Sequence, residues 1–535
     1  MLTLLVPLTL AVLSAAAVAA AVVVSAGWWG LAVPLLLIAA LASYDVLQRK
    51  HSILRNYPVI GHMRFLLESI RPEIQQYFIE RNTDGRPFDR DTRSVIYERA
   101  KGIHGELAFG TEREVNEVGY EWLLHSTAPR EPVDQSPPQE TKQPRVRIGG
   151  PDCTQPYDMA LLNVSAMSFG ALSANAIRAL NAGAARGGFA HDTGEGGLTE
   201  YHLEGGGDLI WEIGSGYFGA RTKDGNFDPR MFADKAAHDH VKCVSLKLSQ
   251  GAKPGIGGVL PASKVTAEIA AARDVPKGEK CVSPAAHKVF HTPRELVLFI
   301  AEMRRLASGK PTGFKLCVGY RHELLAICKA MVDEGITPDF IVVDGSEGGT
   351  GAAPLEYEDH VGTPLTDGLI MLHNALVGSG LRDRIKIGAS GKVATGTDIV
   401  KRLAQGADYT NSARAMMMAV GCIQAQMCHT NECPVGVATQ DPRRSRALDV
   451  ADKTERVYRY QQATVAQAEQ MIASLGLAGP SDLHPAMIMR RIDHAQSKTY
   501  AELYEWLEPG QLLAGPPAGW GSDWRAASAD TFNRV

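Results

Sequence analysis

The sequence predicts an α/β fold, a (β/α)8 barrel with an N-terminal transmembrane hairpin and helical flanking segments. Three observations carry this. Four short apolar strands alternate with helices between Gly313 and Asn411, which implies parallel pairing through right-handed crossovers. Residues 2 to 44 contain no charged side chain, a tract about twice the ~20 residues that cross a bilayer once. The composition, 45% hydrophobic and 21% charged with 53 glycines, suits a well-packed α/β chain of 535 residues, and one barrel of ~250 residues or more leaves room for flanking segments. The net charge of -4 gives no reason to expect nucleic acid.

At the N-terminus, Gly27, Trp28, Trp29 and Gly30 interrupt the apolar tract near its middle, where small residues turn and indoles favour the membrane interface. Two spans follow, Leu2 to Ala26 and Trp28 to Tyr44. Arg49, Lys50, His51 and Arg55 come directly after, so the positive-inside rule places both ends of the hairpin in the cytoplasm, at the plasma or inner membrane. A cleaved signal peptide is the competitor, because Val24-Ser25-Ala26 resembles a small-residue cleavage site; the missing basic n-region and the second apolar run count against it.

Residues 48–150 read as a mixed-charge lead-in that packs on the main domain, with helix-compatible stretches such as Arg71 to Glu80. It ends in an exposed linker where five prolines fall between Thr127 and Pro144. The barrel is assigned to 151–442. Its clearest strands begin at Gly313, Asp339, Ile385 and Ala407, and its helices cover Arg321 to Glu334, Asp367 to Val377 and Thr397 to Gln405. Periodicity alone leaves an open Rossmann-type sheet possible. Residues 443–535 form a helical appendage with apolar spacing through Val457 to Leu475 and no chemistry of their own.

The barrel loops carry the candidate chemistry. Gly345, Gly348, Gly349, Thr350 and Gly351 follow an apolar strand, at the face where barrels place their sites and where backbone amides can approach a ligand; a plain turn is the alternative. Gly388 to Lys392 and Asn411 to Arg414 lie in the loops after the last two strands, the usual phosphate cradle of this fold, which favours a phosphate-bearing cofactor. Lys315 lies inside an apolar strand. It either reaches solvent at the barrel rim or places a cation against N1 and O2 of a reduced flavin.

Eight cysteines in a chain this long do not make a disulfide framework and point to a reducing compartment. Cys422, Cys428 and Cys433, followed by Pro434, lack the paired spacing of zinc sites. Three soft thiolates resemble a loop for a cluster of three irons, and a set of buried thiols is the alternative.

With these pieces placed, the stretch from about Ser165 to Pro442 resembles the FMN-binding synthase domain of glutamate synthase. The matching segments are Met167-Ser168-Phe169-Gly170, Thr193 to Gly197, Gln250 to Gly255, Gly348 to Ala352, and Cys428-His429 with Cys433 to Pro442. The resemblance implies reduction of 2-iminoglutarate, formed from 2-oxoglutarate and ammonia, by hydride transfer from FMN, with electrons arriving through a 3Fe-4S cluster. It implies that Glu195, Lys253 and Arg273 hold the oxo acid, the two cations meeting its carboxylates and Glu195 orienting imine or ammonia. Met167, Ser168 and Lys315 would contact the flavin ring. Gly348, Gly349, Thr350, Gly391 and Arg414 would fall in its glycine loop and phosphate region, and Cys422, Cys428 and Cys433 would ligate the cluster.

Val259 stands where the family usually has glutamine, and Tyr217 where it has arginine, so the substrate is expected to be 2-oxoglutarate or a related 2-oxo acid. The residues given show no counterpart of the family's amidotransferase domain, so ammonia is expected free or from a partner. No G-x-G-x-x-G follows a strand, so ferredoxin or a flavoprotein subunit is the expected electron donor. Two rival readings stand beside this one: a membrane-linked dehydrogenase that oxidises an amino acid or another small acid, and a flavin-binding subunit without turnover.

Overall fold

A computed structural model describes residues 2–103, 105, 108–131 and 143–535. Most of the proline-rich linker expected between Thr127 and Pro144 lies outside the described residues. The chain divides into two compact units, Met1–Arg90 and Asp91–Val535.

In the first unit, helices α1 (Leu2–Val23) and α2 (Trp29–Leu47) pack against each other through a short turn. Ser14, Ala17, Ala21, Ala32, Ala39 and Ala42 are buried. Their spacing puts them on one seam of each helix, where small side chains let the backbones approach, while Leu5, Leu8, Val12, Leu36 and Leu37 face outward. Leu4–Val23 and Ala26–Leu47 are long and apolar enough to cross a membrane. The second helix runs three residues past the expected Tyr44, to Leu47. Helix α3 (Gly61–Ile74) follows and ends in a π-type turn, Gln75–Ile79.

The second unit is a closed, all-parallel eight-stranded barrel. Its strands are β1 (Leu162–Val164), β2 (His191–Asp192), β3 (Leu209–Ile213), β4 (Val241–Lys247), β5 (Thr312–Leu316), β6 (Phe340–Asp344), β7 (Lys386–Ser390) and β8 (Tyr409–Ser412), with β8 pairing β1 to close the ring. The outer helices are α4 (Ala174–Gly187), α5 (Pro229–Ala236), α6 (Pro293–Leu306), α7 (Arg321–Glu334), α8 (Leu365–Gly378), α9 (Gly396–Ala404) and α10 (Arg414–Val420). Helix starts follow local chemistry. Thr292 with Glu295 and Thr395 with Asp398 form capping boxes, and Asp228 caps α5 ahead of Pro229.

An antiparallel hairpin, Arg145–Ile148 with Tyr157–Ala160, packs Ile148 and Met159 into a buried cluster with Ile210, Cys243, Phe340, Val342 and Tyr409. This plugs the N-terminal end of the barrel and leaves the C-terminal mouth for loops. Below the mouth, Asp339 accepts hydrogen bonds from the amides of Gly150 (2.6 Å) and Thr312 (2.7 Å) and pairs with Arg304 at 2.9 Å. One carboxylate thus joins the plug, β5 and α6.

Helix α11 (Val450–Ser474) lies along α4 and α9. Its Val457 comes so close to Gly183 that a Cβ there would sit 2.7 Å from the valine Cγ1. The C-terminal segment, expected to be helical, also contributes strands Ile488–Arg491 and Ser497–Thr499 to a three-stranded sheet with Glu121–Leu123.

Candidate functional site

The barrel mouth gathers charge in compensated pairs. Lys247 ends β4 and stands beside Lys315 in the β4–β5 register, so two ammonium groups enter the interior at one level. Each has its own carboxylate: Lys247 Nζ lies 2.9 Å from Glu195 Oε1, and Lys315 forms an ion pair with Glu212. Buried charges persist when paired in this way. Burial opposes ionisation of Glu195, but Lys247 overrides it and holds the carboxyl at about 2. Glu212, Asp192 and Asp344 together push the Lys315 ammonium above the usual lysine range, against the desolvation that opposes it. Asp192 itself is raised, by burial first and by Glu212 next.

Glycines make room for Glu195. A Cβ on Gly214 would lie 2.2 Å from its Oε2, and one on Gly258 would lie 2.0 Å from its Oε1, so only glycine permits the carboxylate to rest there. Ser283 Oγ donates to it at 3.4 Å. Lys253, in the loop after β4, is buried and donates to the Ala352 carbonyl at 2.6 Å. Desolvation and then the neighbouring Lys247 charge lower it to about 8. Lys247 is held in turn: its carbonyl meets His287 Nε2 at 2.8 Å, and His287 Nδ1 lies 3.2 Å from the Tyr217 hydroxyl. Tyr217 is fully buried, so the residue that departs from the family pattern braces the wall behind Lys247. Val259 pairs with Val282 in a two-stranded ribbon and is half-buried.

Arg273 is placed differently from Lys253. Its Nη2 donates to Ser168 Oγ at 3.3 Å and to the Phe169 carbonyl at 3.0 Å, and its guanidinium lies over the Phe218 ring, 5.3 Å from the centroid. It therefore fixes the strand end carrying Met167 and Ser168 and lends positive charge toward Glu195. Across the mouth, Arg414 Nη2 donates to the Glu347 carbonyl at 2.5 Å. A Cβ on Gly349 would meet the Arg414 Cδ at 2.7 Å. Thr350 Oγ1 bonds the Ala352 carbonyl at 3.4 Å, and Gly348 N the Gly345 carbonyl at 2.8 Å. Gly391 has φ 148° and Lys392, a non-glycine residue, φ 50°, which turns the loop after β7 sharply just ahead of α9.

Cys422, Cys428 and Cys433 line one pocket together with Met417, Ile423, Pro434, Val435 and Val437. Gln424, Gln426 and Asn431 all have left-handed backbones, a cost that the surrounding contacts must hold in place. Burial first, then the charge of the other two thiols, pushes Cys422 up to about 12, and Cys428 is raised by burial and by Cys433, against the pull of Lys264. Among the described residues no three His, Cys, Asp or Glu side chains are grouped to hold a single metal ion.

Lys264 stands just behind this pocket. It is buried, donates to the carbonyls of Ala171 (3.2 Å) and Ala438 (2.9 Å), and lies close enough to Cys428 and Cys433 to feel their charge. Gln440 Nε2 adds a bond of 2.7 Å to the Leu172 carbonyl. The thiol loop and the Met167–Leu172 loop are thereby tied together.

Lys247, Lys264 and His287 are absent from the residues singled out by sequence. Lys247, at the end of an apolar strand, offered a signal like that of Lys315, which lies inside one. Lys264 and His287 carry no local signal.

Fold and site together define a (β/α)8-barrel protein with a charge-paired mouth and an adjoining three-thiol pocket. A family model described as a conserved region in glutamate synthase matches residues 140–478, and the chain belongs to the glutamate synthase family. It is 39% identical over 464 residues to the glutamate synthase large subunit-like protein YerD of Bacillus subtilis (strain 168), covering 80% of this chain and 88% of that protein. It is 34% identical over 316 residues to the archaeal-type glutamate synthase (NADPH) of Thermotoga neapolitana, and 33% identical over 315 residues to the archaeal glutamate synthase (NADPH) of Methanocaldococcus jannaschii. The matches take 58% and 59% of this chain and span 59% and 58% of those two proteins.

Proposed function

We propose that this chain is an oxidoreductase of the glutamate synthase type that reductively aminates 2-oxoglutarate, or a related 2-oxo acid, with ammonia. The observation that carries the reading is the mouth itself, where Lys253 sits beside the buried Lys247–Glu195 pair. A short acid bearing two carboxylates needs cations, and Lys253 can release its backbone carbonyl to meet one. Glu195, ionised and wedged between glycines, accepts a hydrogen bond from an amine or imine nitrogen. Arg273, which donates to Ser168 Oγ and the Phe169 carbonyl, is the proposed cation for the second carboxylate.

The donor set fits FMN and an iron–sulfur cluster. Gly349, Gly391 and Arg414 would hold the phosphate, Met167, Ser168 and the buried Lys315 the ring, and the three cysteines the cluster. When bound, these groups supply a hydride and single electrons respectively. Ferredoxin or a flavoprotein subunit is the proposed donor, and α1 with α2 would place the enzyme at a membrane with the barrel in the cytoplasm.

The membrane-length helices favour one second reading, oxidation of an amino acid with electrons passed to membrane carriers. An anaerobic titration separates the two. Protein reduced chemically and then reoxidised by a 2-oxo acid with ammonia supports the first. Protein reduced by the amino acid and inert to oxo acid with ammonia supports the second.

A further inference from the structure

Helix α3 has two faces with different fates. One face is anchored: His62 Nε2 lies 2.9 Å from Asp45 Oδ1, the Val59 amide donates to Asp45 Oδ2 at 2.8 Å, and the Phe65 ring meets the His51 ring edge-on at 5.4 Å. Gly61 is pressed against Leu54, with space for a Cβ only 2.9 Å from Leu54 Cδ2. Asp45 is fully buried at the end of α2, so the start of α3 is fixed to the end of the second apolar helix.

The other face is apolar and uncovered. Met63, Leu66, Leu67 and Ile70 fall at helical spacing, and Tyr77 and Phe78 continue the stripe in the turn that follows. Their exposures are 60%, 61%, 56%, 40%, 51% and 83%. A stripe this long is not left in water without a reason. Arg64 and Glu68, paired at 2.8 Å, occupy the opposite side. Arg49, Lys50 and Arg55 form a basic cluster just ahead of the helix, while on the helix itself Arg64 and Arg71 are matched by Glu68 and Glu73.

We propose that α3 and its π-type turn lie in the headgroup layer of the membrane crossed by α1 and α2, apolar stripe inward, on an anionic phospholipid surface. An amphipathic helix preceded by a basic cluster at the end of a membrane-length helix binds such a layer through apolar burial and attraction to anionic lipid. The occupant is set by continuity, because α3 leaves the end of a membrane-length helix through a bonded junction. The inference rests on α1 and α2 being spans. It adds a foot that fixes how the chain meets the bilayer.

The test uses the full chain in vesicles of phosphatidylcholine and phosphatidylglycerol, with photoreactive p-benzoylphenylalanine in place of Leu36, Leu67 or Glu68. Lipid adducts are expected at positions 36 and 67 and not at 68. Adducts at 36 but protein cross-links at 67, to a second copy or to this chain, overturn the surface helix and leave the spans standing. No lipid adduct at 36 overturns both. Leu67→Asp with Phe78→Asp changes only exposed positions and should raise amide hydrogen exchange across 61–79 in vesicles several-fold; unchanged exchange also overturns the inference.

Discussion

At the scale of single residues, Lys253 makes the sharpest claim. Its ammonium is lowered to about 8 while Glu195 stays at about 2, so one group titrates in the accessible range and the other does not. A lysine with a depressed value is charged below it and neutral above it. Affinity for a 2-oxo diacid should therefore be full below pH 8 and fall as pH rises through about 8, measured by calorimetry on the oxidised enzyme. Lys253→Met should weaken binding by ~1.4–2.8 kcal/mol, about ten- to a hundredfold, and flatten that profile; a variant that keeps the pH dependence assigns it elsewhere. Lys264 makes a second residue-scale claim. A buried cation beside thiolate ligands favours the more reduced, more negative state of a cluster. Lys264→Met should lower the cluster midpoint potential in a titration followed by paramagnetic resonance, and Lys264→Arg should largely restore it. A potential unchanged by Lys264→Met rules out this role.

At the scale of elements, the barrel depends on junctions more than on individual strands. Asp339 and Arg304 have side chains only 0% and 6% exposed, and removing one partner of a buried pair strands the other charge. Asp339→Ala should cost ~3–5 kcal/mol in urea unfolding, and a loss below ~1 kcal/mol would mean that water reaches Arg304. Sequence legibility follows the same division. The later half of the barrel could be read closely because β5 to β7 centre on short apolar runs and are separated by helices long enough to show their period. Helix Arg321–Glu334 falls where its spacing puts it. The earlier half was harder, since β2 is two residues long and the loop from β4 to α6 spans Leu248 to Thr292. The sheet joining Glu121–Leu123 to Ile488–Arg491 had no local signal, because its partners lie more than 360 residues apart. In the site, cysteine spacing and glycine loops were visible in the chain. The Lys247–Glu195 and Lys315–Glu212 pairings were not, because each joins side chains from elements far apart in the chain that only the closed barrel brings together.

At the scale of the whole molecule, the apolar helices and the chemistry are carried by separate units. Every residue proposed to touch substrate, flavin or cluster lies between Met167 and Cys433, within the unit Asp91–Val535. That unit owns a closed barrel with no free edge, a plugged N-terminal end and a buried cluster made of its own residues. A closed sheet with its own buried core needs no outside strand or helix to satisfy its backbone. A chain beginning at Asp91 should accordingly express without detergent, keep flavin absorbance and the cluster's paramagnetic signal, melt within a few degrees of the full protein, and no longer partition with phosphatidylglycerol vesicles. Loss of flavin or an early thermal transition on truncation would show that Met1–Arg90 supports the barrel directly. Retained vesicle binding would move the membrane-contacting surface into the catalytic unit.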